Sequence, residues 1–307
     1  MKTYAILFPG QGSQFVGMGA DVFAARPDLL GDTADEVLGW SLSTVVSEGP
    51  DEELTRTDRA QAALFAISYT LWILLADAMP RPPSATAGHS LGEYTGLAAA
   101  GAIGFSEGLG LVAARGQAMA EAAALEPSTM LALMGADVAA AEAMAAQRRD
   151  EGGKLWVANI NAPGQIVLAG SMEDIDWLLT NADQVGARRA IPLNVAGAFH
   201  SPYMVPAAGR LAQALSAADF GDTKFPVYAN VSAKPMTDPR GQLARQLVEP
   251  VRFAESLERM AADGIDAFIH VGPGNVTAGL ARRSAPGADT YTVSAIDDIE
   301  GAVAFIE

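Results

Sequence analysis

The chain has 307 residues, half of them hydrophobic and 18% charged, which is enough apolar material for a large core and unlike a disordered chain. Its formal charge of −16 sets it against a phosphate backbone, so nucleic acid is excluded as a partner. With no cysteine, disulfides, thiolate nucleophiles, iron–sulfur clusters and cysteine-zinc sites are excluded together, and no other metal-ligand pattern stands out. Residues 1–9 carry too short an apolar run for a signal peptide, which points to the cytoplasm. Residues 4–8 read as a strand that ends in the turn Pro9-Gly10-Gln11-Gly12. Residues 62–76 are the most hydrophobic stretch, shorter than the ~20 residues a bilayer needs and flanked by Arg59 and Asp77. The spacing predicts a core helix over 60–78 and no membrane span. A strand over 84–88 and a helix over 93–100 follow, and Ser106 is expected to cap a further helix running to about 124, with Glu107 in its first turn.

The block over 127–194 has a different rhythm. It predicts strand 130–134, helix 138–149, strand 155–161, a Pro163-Gly164 turn, strand 165–169, a helix opened by Ser171 and Asp174, and strand 189–193. Ile175, Leu178, Leu179 and Ala182 fall on one face of that second helix. The order βαββαβ is the ferredoxin-like split βαβ arrangement. We therefore expect a small subdomain over 127–194, inserted into an α/β core formed by 1–126 and 195–307. In the core the pattern resumes with helix 206–217, strand 225–230, helices 241–246 and 253–263, strand 267–271 and helix 276–283.

Ser90 lies in Gly88-His89-Ser90-Leu91-Gly92, between the predicted strand and the predicted helix. That context suits a nucleophile, because small flanking residues permit the sharp turn that leaves the hydroxyl exposed. The glycine-rich turn around Gln11 would supply the oxyanion hole. Of the three histidines, His89 adjoins Ser90 on the turn itself, where neighbouring side chains diverge, and His270 lies in an apolar strand and reads as core. His200, in the small-residue loop Gly197-Ala198-Phe199-His200-Ser201, remains as the candidate general base. No Asp or Glu presents itself as a third triad member. Arg115 has Leu111, Val112, Ala118 and Met119 as its helical neighbours, which puts a guanidinium on a buried face. The pattern leaves open a structural explanation, an internal ion pair or a side chain snorkelling to the surface, and a functional one, a site kept for a substrate carboxylate.

Taken together, Phe8-Pro9-Gly10-Gln11-Gly12-Ser13-Gln14, Gly88-His89-Ser90-Leu91-Gly92-Glu93-Tyr94, Ala114-Arg115-Gly116, Asn159-Ile160-Asn161-Ala162-Pro163-Gly164-Gln165, Gly197-Ala198-Phe199-His200-Ser201 and Val271-Gly272-Pro273-Gly274 occur in an order that resembles malonyl-CoA:acyl-carrier-protein transacylases along the whole chain. The resemblance implies an α/β-hydrolase-like parallel-sheet core with a ferredoxin-like insert. It implies malonyl transfer from malonyl-CoA to the phosphopantetheine thiol of acyl carrier protein through a malonyl-Ser90 ester, with His200 as base. It further implies oxyanion donors at the backbone N–H of Gln11 and Leu91, a malonyl carboxylate held by Arg115, and a backbone carbonyl near Gln246 orienting His200. Phe199 would favour malonyl over branched acyl groups. Asn159 and Asn161 share a strand face and either line the cleft or bond at the strand end. No cofactor is implied, and a monomer is expected. Arg188 and Arg189 are the first candidates for carrier-protein docking, Arg282 and Arg283 the second; simple surface charge is the alternative for both. The rival functions are a trans-acting acyltransferase of a polyketide synthase, a serine thioesterase or esterase, and a non-catalytic carrier-protein scaffold.

Overall fold

Tyr4–Phe8 is buried at every position, as is Ala267–Val271, and such continuous apolar runs belong to parallel strands covered on both faces. The computed structural model describes residues 1–307 and contains ten strands. They are β1 (Tyr4–Phe8), β2 (Ala85–Gly88), β3 (Ser128–Met134), β4 (Leu155–Ala162), β5 (Gln165–Ser171), β6 (Arg189–Pro192), β7 (Val227–Ala229), β8 (Lys234–Pro235), β9 (Ala267–Val271) and β10 (Asp289–Val293). Six form one sheet in the order β10-β9-β1-β2-β7-β8, parallel except for the final pair. β1 lies at its centre, with Leu7 facing Ala87 on one side and His270 on the other.

The other four form an antiparallel sheet in the order β4-β5-β3-β6, the strand order of a ferredoxin-like unit. Ala162 and Gln165 are joined by the two-residue Pro163-Gly164 turn, where Gly164 takes a φ of 70°. Ser171 caps the helix Met172–Asn181 by accepting from the Asp174 N–H at 3.1 Å. This sheet has its own apolar cluster of 16 buried residues, distinct from the main one of 57.

Several expectations need correction. The helix around Arg115 is Phe105–Ala123; its N-cap is Gly104, and Ser106 makes no capping bond. Glu107 instead accepts the Asp219 N–H at 2.7 Å, tying this helix to the chain beyond Ala217. Leu179 is exposed, because the apolar face of its helix is only wide enough for Ile175 and Leu178. The strand expected over 225–230 shortens to Val227–Ala229. Between residues 20 and 55 the chain forms short helices that no periodicity announced, and β10 and the helix Ile299–Ile306 also went unpredicted. The apolar helix is Thr57–Ala78, with 22 residues long enough to cross a bilayer by length and composition. Fourteen of them are buried inside the protein.

Candidate active site

The parallel strands deliver the site at their carboxyl ends, where open α/β sheets present ligands. β2 stops at Gly88, the chain turns through His89, Ser90 and Leu91, and the helix Gly92–Ala99 begins. Both glycines are obligatory for steric reasons. A Cβ on Gly88 would lie 1.9 Å from the Gly92 carbonyl carbon, and one on Gly92 would lie 2.5 Å from the Phe8 oxygen. The bend leaves Ser90 with a φ of 51°, in the left-handed region where non-glycine residues are strained. His200 is held in the same region, with a φ of 56°.

Ser90 Oγ lies 2.8 Å from His200 Nε2, and His200 Nδ1 lies 2.7 Å from the backbone carbonyl of Gln246. Nδ1 therefore carries the proton it donates to Gln246, and Nε2 is left to accept from the serine. Burial lowers the His200 pKa to about 3, assisted by the positive charge of Arg115. The ring is a neutral base.

Arg115 is 1% exposed and meets no carboxylate. Its terminal nitrogens donate to Gln61 Oε1 at 2.5 Å, to Ser90 Oγ at 2.9 Å and to Gln246 Oε1 at 3.0 Å. Its Nε has no partner at all, and the Tyr94 ring lies 5.7 Å away. A buried cation with only neutral partners is expensive unless an anion arrives. Of the explanations left open by the sequence, a direct ion pair is absent, and the side chain does not snorkel to the surface.

Gln11, Ser90, Leu91, Arg115, Asn159, Asn161, Phe199 and His200 all line one cavity of about 440 Å³. Residues of the antiparallel sheet, including Met130 and Val167, close its other side. The N–H groups of Gln11 and Leu91 donate to no protein acceptor, as a hole awaiting an oxyanion requires. Asn161 Oδ1 lies 2.7 Å from His89 Nε2, and Asn159 bridges Val251 through its backbone. Gln246 stands behind His200 and Arg115, outside the cavity lining. A larger groove of about 880 Å³ opens at the amino ends of β1, β2 and β7, around Tyr69, Trp72 and Phe225. It contains none of these groups, so chemistry and not size identifies the site.

Arg188 and Arg189 are exposed at the start of β6 and do not line the cavity. Arg283 stands closer, donating to the Pro163 carbonyl and to Gln165, which is itself a lining residue. His270 is fully buried and bonded to Thr277, remote from this chemistry.

Three residues at the site escaped the sequence reading. Glu93 is buried on the first turn of its helix, and burial lifts its carboxyl to about 8 against the hydrogen bonds from Asn230 and Gln246. Asn230 accepts the Ser90 N–H at 2.7 Å, and Gln61 receives Arg115. Glu93 and Gln61 could have been found by the signal that revealed Arg115, a polar side chain on an otherwise buried helix. Asn230, at a strand end, gave no signal.

A profile of the acyl transferase domain matches residues 5–293. The malonyl CoA-acyl carrier protein transacylase of Bacillus subtilis is 42% identical over 99% of this chain and 97% of its own length. The structure of the malonyl CoA-acyl carrier protein transacylase from Coxiella burnetii superposes with a TM-score of 0.94 at 34% identity, covering 99% of this chain and 98% of that one. A malonyl-transacylase solved in complex with its type II polyketide acyl-carrier protein gives a TM-score of 0.93 at 36% identity over 98% of this chain and 99% of that one. The chain belongs to the malonyl-CoA:acyl-carrier-protein transacylase family of acyltransferases.

Proposed function

We propose that this enzyme moves a malonyl group from malonyl-CoA to the phosphopantetheine thiol of acyl carrier protein, supplying fatty-acid synthesis, with Ser90 as the carrier. The observation that carries the reading is the hydrogen-bonded line from the Gln246 carbonyl through His200 to Ser90, set beside a buried arginine that no carboxylate touches.

In the first half-reaction His200 Nε2 takes the Ser90 proton as Oγ bonds to the thioester carbonyl carbon. The carbonyl becomes an oxyanion facing the N–H groups of Gln11 and Leu91. The C–S bond then breaks, and His200 returns the proton to the departing CoA thiolate. In the second half-reaction the carrier thiol gives its proton to His200 and attacks the ester. The C–O bond breaks, and Ser90 recovers its hydroxyl. Arg115 binds the malonyl carboxylate through its planar fork. Burial is the main cause that holds His200 below its ordinary range and the Arg115 charge the second; the bound anion offsets that second part, so malonyl makes the imidazolium formed during attack less costly. Phe199, packed at the cavity wall, limits room for a branch on the acyl carbon.

Exchange of one thioester for another needs no redox partner, and the reading includes no cofactor or metal. It takes residues 127–194 as the inserted subdomain, and the protein as a cytoplasmic monomer. Arg188 and Arg189 remain the proposed contacts for the carrier, with Arg283 beside the cavity as a further cation. A hydrolase is disfavoured by the uncompensated Arg115 and by a carbonyl where hydrolytic triads place an acid. Intact mass after mixing with malonyl-CoA tests the reading. One malonyl adduct on Ser90, slow to hydrolyse and discharged by phosphopantetheinylated carrier protein, is expected. Rapid loss to water, or no adduct, would reject it.

A further inference from the structure

Ser90 holds its strained conformation with both of its backbone polar groups engaged by side chains. Its N–H donates to Asn230 Oδ1 at 2.7 Å, and its carbonyl accepts from Gln246 Nε2 at 2.8 Å. These two amides come from distant parts of the chain, and both end on one carboxyl group. The Asn230 N–H donates to Glu93 Oε1 at 2.5 Å, and Gln246 Nε2 donates to Glu93 Oε2. Asn230 Nδ2 also donates to the Gly88 carbonyl at 2.8 Å, so the same cluster grips the turn on both sides of the serine. Glu93 is 1% exposed and does not line the cavity. It has no hydrogen bond to Arg115; the Gln246 amide stands between them, its oxygen toward the guanidinium and its nitrogen toward the carboxyl.

We propose that Glu93 is a positioning residue that, through Asn230 and Gln246, fixes the backbone of Ser90 in the left-handed turn from which its hydroxyl reaches His200. The inference rests on Ser90 being the nucleophile. Above the value of about 8 to which burial lifts Glu93, both carboxyl oxygens accept; glutamine keeps the shape but puts a donor in place of one of them, and that donor then faces an N–H. The brace loses one arm while Arg115 keeps its three direct partners. A displaced nucleophile slows attack on any acyl group, whatever holds that group in the cavity.

The test compares single-turnover acylation of wild type and Glu93→Gln by malonyl-CoA and by acetyl-CoA, at a pH above the value of about 8 at which Glu93 ionises, read by intact mass beside the melting temperature. The maximal rate is expected to fall roughly ten- to a hundredfold by a common factor for both thioesters, with KM for malonyl-CoA within about threefold. Asn230→Ala should reproduce that signature, and the double variant should lose little more than the worse single one. Should Glu93→Gln not fold, Asn230→Ala carries the same comparison. An unchanged rate per folded molecule overturns the proposal, and so does a loss confined to malonyl-CoA, which would assign Glu93 to Arg115 instead. Absence of a Ser90 adduct in wild type would defeat the nucleophile reading itself.

Discussion

In the antiparallel insert an arginine and a buried carboxylate meet directly. Arg148 Nε lies 2.6 Å from Asp174 Oδ1, while the other oxygen accepts from Lys154 N and Ser171 Oγ, each at 2.6 Å. Around Ser90 an arginine and a buried carboxyl are equally available, yet Gln246 separates Arg115 from Glu93. The insert uses its charges to hold a helix start against a strand. The site keeps its cation from direct contact with a carboxylate, at a cost in stability that a bound carboxylate would offset under the proposed function. The two arginines look alike by formal charge and differ in whether the protein has already answered them.

His200 sits beside the unanswered charge, and its removal should have the largest effect. His200→Ala is expected to slow acylation by about 10²- to 10⁴-fold, the usual share of a general base. Because its pKa is lowered to about 3, the acid limb of kcat/KM should lie well below the 6.5 of an ordinary histidine. A limb at 6.5 or higher in the free enzyme would show that Arg115 and burial do not act on the base as described.

Gln246→Glu would turn the site into a copy of the insert, placing a carboxylate where Arg115 now meets an amide oxygen at 3.0 Å. The ratio of malonyl to acetyl transfer should drop roughly a hundredfold, from the ~2–5 kcal/mol of a desolvated charge contact. Taking this ratio removes any effect on the Ser90 turn that both substrates share. An unchanged ratio would mean that Arg115 need not be free.

Asp174→Asn makes the converse change. It should lower the melting temperature by roughly a few degrees, because Lys154 N–H, Ser171 Oγ and Arg148 then share one acceptor fewer, and leave malonyl transfer intact. Activity lost in proportion would mean that the insert's charge pair serves the site too. The smallest effect is expected at the surface. Reversing Arg188 and Arg189 to Glu should raise KM for carrier protein several-fold at physiological salt and spare acylation by malonyl-CoA. Equal effects on both half-reactions would remove docking from that strand and leave Arg283 as the cation to test.

Much of the fold was legible because its central strands are short apolar runs that end in glycine turns, and because the insert carries a Pro-Gly hairpin and a Ser171 cap. Ser106 misled because serine before an apolar stretch resembles a cap; the cap is Gly104, two residues earlier. The short helices between residues 20 and 55 have too few turns for any period to emerge. At the site, Arg115 was visible because a charge on an apolar face demands an explanation. Its choice between ion pair and ligand was not visible, since that depends on which side chains come near it in space. Gln246 and Asn230 each stand as a single polar amide at the end of an element, where solvent exposure is the ordinary outcome, and only folding turns them toward Ser90.

If Arg115 is kept for the malonyl carboxylate, Arg115→Ala will separate the two substrates when acyl transfer from malonyl-CoA and from acetyl-CoA is measured on the same preparation. Malonyl transfer should fall by the equivalent of ~2–5 kcal/mol, while acetyl transfer falls far less or rises. The melting temperature should change little, because loss of a costly buried charge is set against a cavity and two amide oxygens left without their donor. Parallel loss of both transfers in a destabilised protein would contradict the account.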